Sequence, residues 1–184
     1  MRHTFHAEQW LPYSVETVFA FFANPENLPR LMPGWQKARI EEAMFTAPPP
    51  RPVSGAAPVA PLLRMRGIVA GNGTTMTISF RPVPFSPIRV PWEAEIVDFA
   101  WNDRFCDVQL RGPFAYWRHC HTVIPEVRDA VSGTVVRDQV EYEMRLGKFG
   151  ELAHSLVGRR QIARIFAHRQ RRTAELLPLI SPGR

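Results

Sequence analysis

The feature that most constrains this chain is a succession of strand-like runs between residues 74 and 145 with almost nothing between them. "TTMTISFRP", "PWEAEIVDF", "RFCDVQLRG", "AYWRHCHTVI" and "GTVVRDQVEYEMR" follow one another, separated only by Pro, Gly or Asn-Asp breakers. Connections this tight predict an antiparallel meander. A curved antiparallel sheet with one apolar face needs a cover. The helical pattern from about Glu151 to Leu177 is the one element long enough to supply it. The physical product is a sheet gripping a helix.

The segments upstream complete the order. "HTFHAEQWLP" alternates and then meets a proline, which predicts a first strand. In "YSVETVFAFFANPENLPRLMPGW", Ser14 is a plausible N-cap, and Val15, Val18, Phe19 and Phe22 recur at helical spacing. That helix must stop near Asn24-Pro25, and a second turn or two follows before Pro33-Gly34. "QKARIEEAMF" reads as another strand. It runs into "TAPPPRPVSGAAPVAP", Thr46 to Pro61, whose composition supports neither helix nor ladder and predicts a mobile loop. A polyproline ligand for another domain is the alternative for this stretch. At 184 residues the chain fits one domain, 1–184, with a proline-rich insertion at about 46–71.

Composition excludes more than it selects. A formal charge of +6 favours an anionic partner or surface without identifying one. Two cysteines, Cys106 and Cys120, make no disulfide framework and no metal knuckle, a count that suits a reducing cytoplasm. No run approaches a membrane span, and "MRHTFHAEQW" lacks the apolar core of a signal peptide, so a cytoplasmic location is expected.

The stretches "FHAEQWLPYSVETVFAFFANPENLPRLMPGW", "GPFAYWRHCHTV" and "DQVEYEMRLGKFGEL", followed by "RRQIARIFAHR", resemble the START/Bet v1-like helix-grip superfamily, also called SRPBCC, which includes polyketide cyclase/dehydrase-like proteins. The piece "VFAFFANPENL" is the most telling. The resemblance implies an α+β helix-grip fold, in which a curved antiparallel sheet of about six to seven strands wraps a long C-terminal helix, with two short helices after strand 1. It also implies a deep, largely apolar cavity for lipids, polyketides or similar molecules. It carries no catalytic motif, because the superfamily spans carriers, sensors and some enzymes.

Alternation then sorts the polar groups. In the last strand Val136, Asp138, Val140, Tyr142 and Met144 share the inward face. In the strand before it Trp117, His119, His121 and Val123 form the inward set. For Asp107 and Gln109 the turn "RGPFA" leaves two registers open. A three-residue loop pairs Asp107 with His119 and turns both side chains in, whereas a two-residue loop turns them out and gives Cys106, Val108 and Leu110 the inner face. On a helical wheel Leu152, Leu156, Ala163, Phe166, Ala174 and Leu177 make one stripe that contains Arg159 and Gln170, while Arg164, His168, Arg171 and Arg172 point away.

The expected ligand-binding residues are therefore Trp117, His119, His121, Asp138, Tyr142, Arg159, Phe166 and Gln170. His119 and Tyr142 are the candidates for catalysis. Two histidines at i and i+2 can ligate zinc only with a third ligand, from Asp138 or Asp107, and no metal or other cofactor is expected. The leading expectation is a binder of a hydrophobic small molecule. The alternatives are a cyclase or dehydratase using a cavity histidine as acid/base, and a lipid-transfer or interaction module. Exposed arginines without interleaved aromatics argue against nucleic acid and allow a transient contact with an anionic membrane surface. Ligand identity and oligomeric state are not encoded in any motif.

Overall fold

The structure, a computed structural model, describes residues 1–52, 68–145 and 159–180, with residue 159 described by its backbone alone. Strand β1 (Arg2–Leu11) leads into helix α1 (Val15–Ala23), which begins where Ser14 Oγ accepts the Thr17 amide and ends at Asn24, ahead of Pro25. A 3-10 turn (Pro25–Asn27), the short helix α2 (Leu28–Leu31) and a second 3-10 turn (Gly34–Gln36) bring the chain to β2 (Arg39–Met44). Strands β3 (Thr75–Phe80), β4 (Val90–Ala100), β5 (Arg104–Arg111), β6 (Phe114–Arg128) and β7 (Val131–Met144) follow, and helix α3 (Arg159–Ile180) ends the described chain.

The strands form one antiparallel sheet in the order β1-β7-β6-β5-β4-β3-β2. The meander from β3 to β7 is the one the tight connections predict, and β2 extends it by pairing with β3. The first strand closes it by pairing along β7 from Arg2↔Glu143 to Leu11↔Thr134. There the backbones cross closely: a Cβ on Gly133 would sit 2.5 Å from the Leu11 carbonyl oxygen, so glycine is required at that position. Register shifts at Ile40/Glu42, Glu93/Ala94, Val97/Ala100 and Phe114/Tyr116 add twist and bend the sheet into a concave wall.

Helices α1 and α3 fill the concavity. Phe19 and Phe21 of α1, Leu176 and Leu177 of α3, and Phe105 and Val136 of the sheet share one apolar core. Phe19 meets the rings of Phe99 and Phe105 edge-on, at 5.4 and 5.8 Å. Trp117, Val140, Tyr142, Ile162 and Phe166 make a second cluster, nearer the start of α3. This is the helix-grip α+β fold that the element order implies.

Three expectations are corrected. The inward stripe of α3 is Ile162, Phe166, Thr173, Leu176 and Leu177, with Arg169 among them, whereas Ala163 and Ala174 are exposed. Two alanines outvoted the isoleucines on the wheel and turned the stripe by part of a turn; Leu152 and Leu156 lie outside the described residues. The stems of the proline-rich segment are anchored rather than loose. Gly71 N–H donates to the Thr46 carbonyl, Ala70 N–H to that of Ala23, and the Trp101 indole to that of Pro49, while residues 53–67 lie outside the described residues. Finally, Cys106 and Cys120 face each other across β5 and β6 and are joined in a disulfide.

Candidate functional site

Residues of both core clusters line a cavity of about 460 Å³, a volume that suits a small-molecule ligand. Its walls are mostly apolar and aromatic, among them Phe22, Ile78, Trp92, Trp117 and Phe166. Among the described residues, four ionisable or imidazole side chains reach it: Asp107, His119, His121 and Arg169.

The register of β5 on β6 builds this polar wall. Asp107 stands directly opposite His119, which is the three-residue-loop alternative, so Asp107 faces inward and Leu110 outward. Gln109 explains why the turn adopts it. Its side-chain amide donates to the Phe114 carbonyl at 2.9 Å and accepts the Phe114 N–H at 3.3 Å, capping the turn instead of entering the cavity. A Cβ on Gly112 would lie 2.3 Å from Gln109 Oε1, so the glycine makes room for that cap.

His119 is held between two carboxylates. Its Nε2 lies 3.0 Å from Asp138 Oδ1 and its Nδ1 3.3 Å from Asp107 Oδ1. Burial alone would favour the neutral ring, yet the contacts with Asp107 and Asp138 outweigh it and raise the pKa of His119. Asp107 is lowered in turn: desolvation opposes its charge, but His119 beside it and the Trp117 indole N–H, 3.1 Å from Oδ2, favour the carboxylate. Asp138 is driven well below the usual range, against its own desolvation, by His121, His119 and Arg169.

His121 behaves oppositely. Arg169 Nη2 donates to His121 Nε2 at 3.2 Å, and because guanidinium has no acceptor, that ring nitrogen must carry a lone pair. The His121 proton therefore sits on Nδ1, 2.7 Å from Asp138 Oδ1, in a contact that is close but off the hydrogen-bond line. Burial, then the charges of His119 and Arg169, push its pKa down to about 4. Two histidines with ring centroids 4.0 Å apart are thus shifted in opposite directions, His119 up and His121 down.

Arg169 is the exceptional member. Its guanidinium lies over the rings of Phe22 and Phe166, at 5.3 and 6.0 Å, and its buried Nε has no hydrogen-bond partner. Among the described residues no carboxylate stands within ion-pair distance of it. Sequence reasoning missed Arg169. The signal was present in the spacing Ile162, Phe166, Arg169, Thr173, Leu176, which runs unbroken at intervals of three and four.

Of the residues expected at the site, Trp117, His119, His121 and Phe166 line the cavity. Asp138 is buried behind the two histidines rather than on the cavity surface. Tyr142 is corrected: it is packed beneath Trp117 and Phe114 against His3 and does not line the cavity. Gln170 is corrected as well, since its amide donates to the Glu8 carbonyl of β1. The side chain of Arg159 lies outside the described residues.

Asp107, His119 and His121 could in principle hold a metal, their ligand atoms all lying within 4.8 Å of one another. The charges disfavour it as the site stands. Both nitrogens of His119 already face carboxylates, and a guanidinium occupies the lone pair of His121 that a cation would need.

The family model described as "Polyketide cyclase / dehydrase and lipid transport" matches residues 11–167. The chain belongs to this family. Solved structures with the same architecture include norcoclaurine synthase from Thalictrum flavum, at 16% identity and TM-score 0.57, covering 95% of this chain and 88% of that one. A START superfamily protein from Mycobacterium smegmatis is 13% identical at TM-score 0.56, with 95% and 99% covered. A protein from Chromobacterium violaceum is 13% identical at TM-score 0.60, with 98% of each chain covered. At these identities the likeness shows the fold. No curated protein matches the chain in sequence.

Proposed function

We propose that the chain is one ligand-binding domain whose cavity takes up a hydrophobic small molecule of lipid or polyketide type, and that Arg169 meets an acidic oxygen of that molecule. The observation that carries this is a guanidinium on the wall of an apolar cavity, clamped by two aromatic rings, with a buried Nε that no protein group satisfies. Buried donors of this kind are normally paired, so an unpaired one at a cavity wall fits a ligand oxygen. Asp107 and Asp138 carry two negative charges against the one that a protonated His119 supplies, so Arg169 offsets the remainder from beyond ion-pair distance while its Nε stays free for a ligand oxygen.

The test compares dodecanoate with dodecanol, probes that differ only in the head group. In the Arg169→Met variant, dodecanoate affinity should fall by about tenfold or more, the effect of a lost charge-assisted hydrogen bond, with dodecanol little changed. Equal losses for both probes would make Arg169 a packing residue and overturn the reading.

A second reading, a cyclase or dehydratase, is favoured by one observation: the Asp107 carboxylate faces the cavity with His119 Nδ1 3.3 Å from it. Asp107 would accept a proton next to a ligand carbonyl, and His119 would hold it in place. On this reading Asp107→Asn abolishes turnover of a polyketide-type dicarbonyl compound without weakening its binding. Turnover that survived the change would remove Asp107 from the chemistry.

A further inference from the structure

The connection between β3 and β4, residues 81–89, carries a feature that ligand binding does not use. Phe85 is 96% exposed, with Ile88 at 68% and Val83 at 53% beside it. Phe85 also has φ of 62°, a left-handed conformation in which a bulky side chain is uncommon. Neither the sheet nor the core needs an aromatic there, and Gly or Asn would suit the backbone better.

The loop is built to hold that shape. Pro82, Pro84 and Pro87 fix three of its φ angles. Ser86 Oγ donates to the Ile88 carbonyl and accepts the Ile88 N–H, each at 3.1 Å, and Ser86 N–H donates to the Val83 carbonyl. Gln161 of α3 reaches the Pro82 carbonyl. A preformed prong loses little freedom when it docks.

Its position is at the cavity. Pro82 and Val83 contribute to the lining, as do Pro113, Phe114, Met144 and Gln161 from the neighbouring strand ends and the start of α3. Arginines border the same residues. Arg111 precedes the Gly112-Pro113 turn, Arg145 follows Met144 and donates to the Phe114 carbonyl, and Arg160 and Arg164 flank Gln161 on α3. Arg111, Arg145, Arg160 and Arg164 are all exposed, and none has a carboxylate within ion-pair distance among the described residues. Glu93 stands across from Arg111 in register, which leaves this end of the molecule with an excess of positive charge.

We infer that this end of the molecule docks on a bilayer containing anionic lipid. Phe85 and Ile88 enter the boundary between headgroups and acyl chains, and the arginines meet lipid phosphates. An apolar prong ringed by arginine complements that surface, combining a hydrophobic layer with negative charge above it. Docked this way, the cavity lining at Pro82 and Val83 lies beside the membrane, and an apolar ligand could pass between the two without crossing water. The inference does not depend on which ligand the cavity holds.

The experiment is vesicle co-sedimentation of the full chain. Vesicles of phosphatidylcholine with about one-third phosphatidylglycerol should bind the protein at least tenfold more tightly than pure phosphatidylcholine, and the difference should shrink as salt shortens the Debye length. Phe85→Asp should reduce partitioning into the mixed vesicles by about tenfold or more, the scale expected for losing a buried aromatic. Ile88→Ser should reduce it less. Because Asp tolerates the left-handed conformation better than Phe, the thermal midpoint of Phe85→Asp should hold or rise, which separates lost docking from lost folding. Equal binding to both vesicle types, or undiminished binding by Phe85→Asp, would overturn the inference. So would a dimer in solution that Phe85→Asp dissolves, since the prong would then serve a second copy of the chain. The dodecanoate titration is read without vesicles, so either proposal can fail while the other stands.

Discussion

The β5–β6 hairpin has two faces that solve opposite problems. On the inner face Asp107 and His119 are polar groups inside a protein that satisfy each other with help from Trp117 and Asp138, and His121 beside them accepts from Arg169. On the outer face, one residue out of phase, Cys106 and Cys120 are covalently joined, and Arg118 pairs with Asp98 while resting 3.6 Å from the Cys106 sulfur. The inner face is useful only in one register, because a slip by one residue would send Asp107 to solvent. The outer face supplies a bond that permits no slip. What looks like two unrelated features is one device: a covalent pin on the outside of the strands that fixes which polar groups meet on the inside.

The comparison is broken most directly from within. Replacing Asp138 by Ala leaves His119 with one carboxylate and strips His121 of its neighbour, and should cost about 3–5 kcal/mol in urea unfolding, the usual effect of removing one partner from a buried charge pair. Asp138→Asn keeps the shape and should cost less. Costs as small as those of surface substitutions would mean that the inner network does not need its charge.

Next in size is pH. His121 is lowered from 6.5 to about 4, so between those values the unfolded chain binds more protons than the folded one, and stability should fall as pH drops from about 6.5 to 4. The shift corresponds to about 3 kcal/mol. His119 has the reverse sign. Its raised pKa contributes stability that is fully present below about 6.5 and is lost as pH rises through its folded value. Stability, read from denaturant unfolding across pH, should therefore peak near 6.5. In His121→Phe the acid limb should shrink while the alkaline limb stays, which assigns each limb to its residue.

The outer face gives the smaller effects. Cys106 and Cys120 are 14 residues apart, and reducing the bond should destabilise by roughly 2–3 kcal/mol, the loop-closure scale for a ring of this length. A sharper reading is available from ligand affinity. If the disulfide pins the register, dodecanoate binding should weaken on reduction at a denaturant concentration where the wild-type fold persists. Arg118→Ala removes a largely exposed pair and should cost under about 1 kcal/mol. A cost approaching that of Asp138→Ala would erase the contrast between the faces.

The sequence by itself determined the element order, the meander, and the inward faces of β6 and β7, because strand alternation reads burial directly where one face is wet and the other dry. It placed Trp117, His119 and His121 toward the interior on that ground alone. It could not choose between two registers for Asp107, since Cys106, Val108 and Leu110 make as plausible an inner face as the polar set. That choice was made by contacts between strands: Gln109 capping the turn, and a disulfide linking residues that the chain keeps apart. Nor did it find Arg169, because a wheel weighs alanine as apolar, while only packing against Phe22 and His121 shows which stripe of α3 faces the sheet. Tyr142 and Gln170 lay on the correct elements yet away from the cavity, at depths that periodicity does not encode. Local pattern sets which way a side chain points. Which groups it meets there depends on residues distant in sequence, and tertiary structure alone decides that.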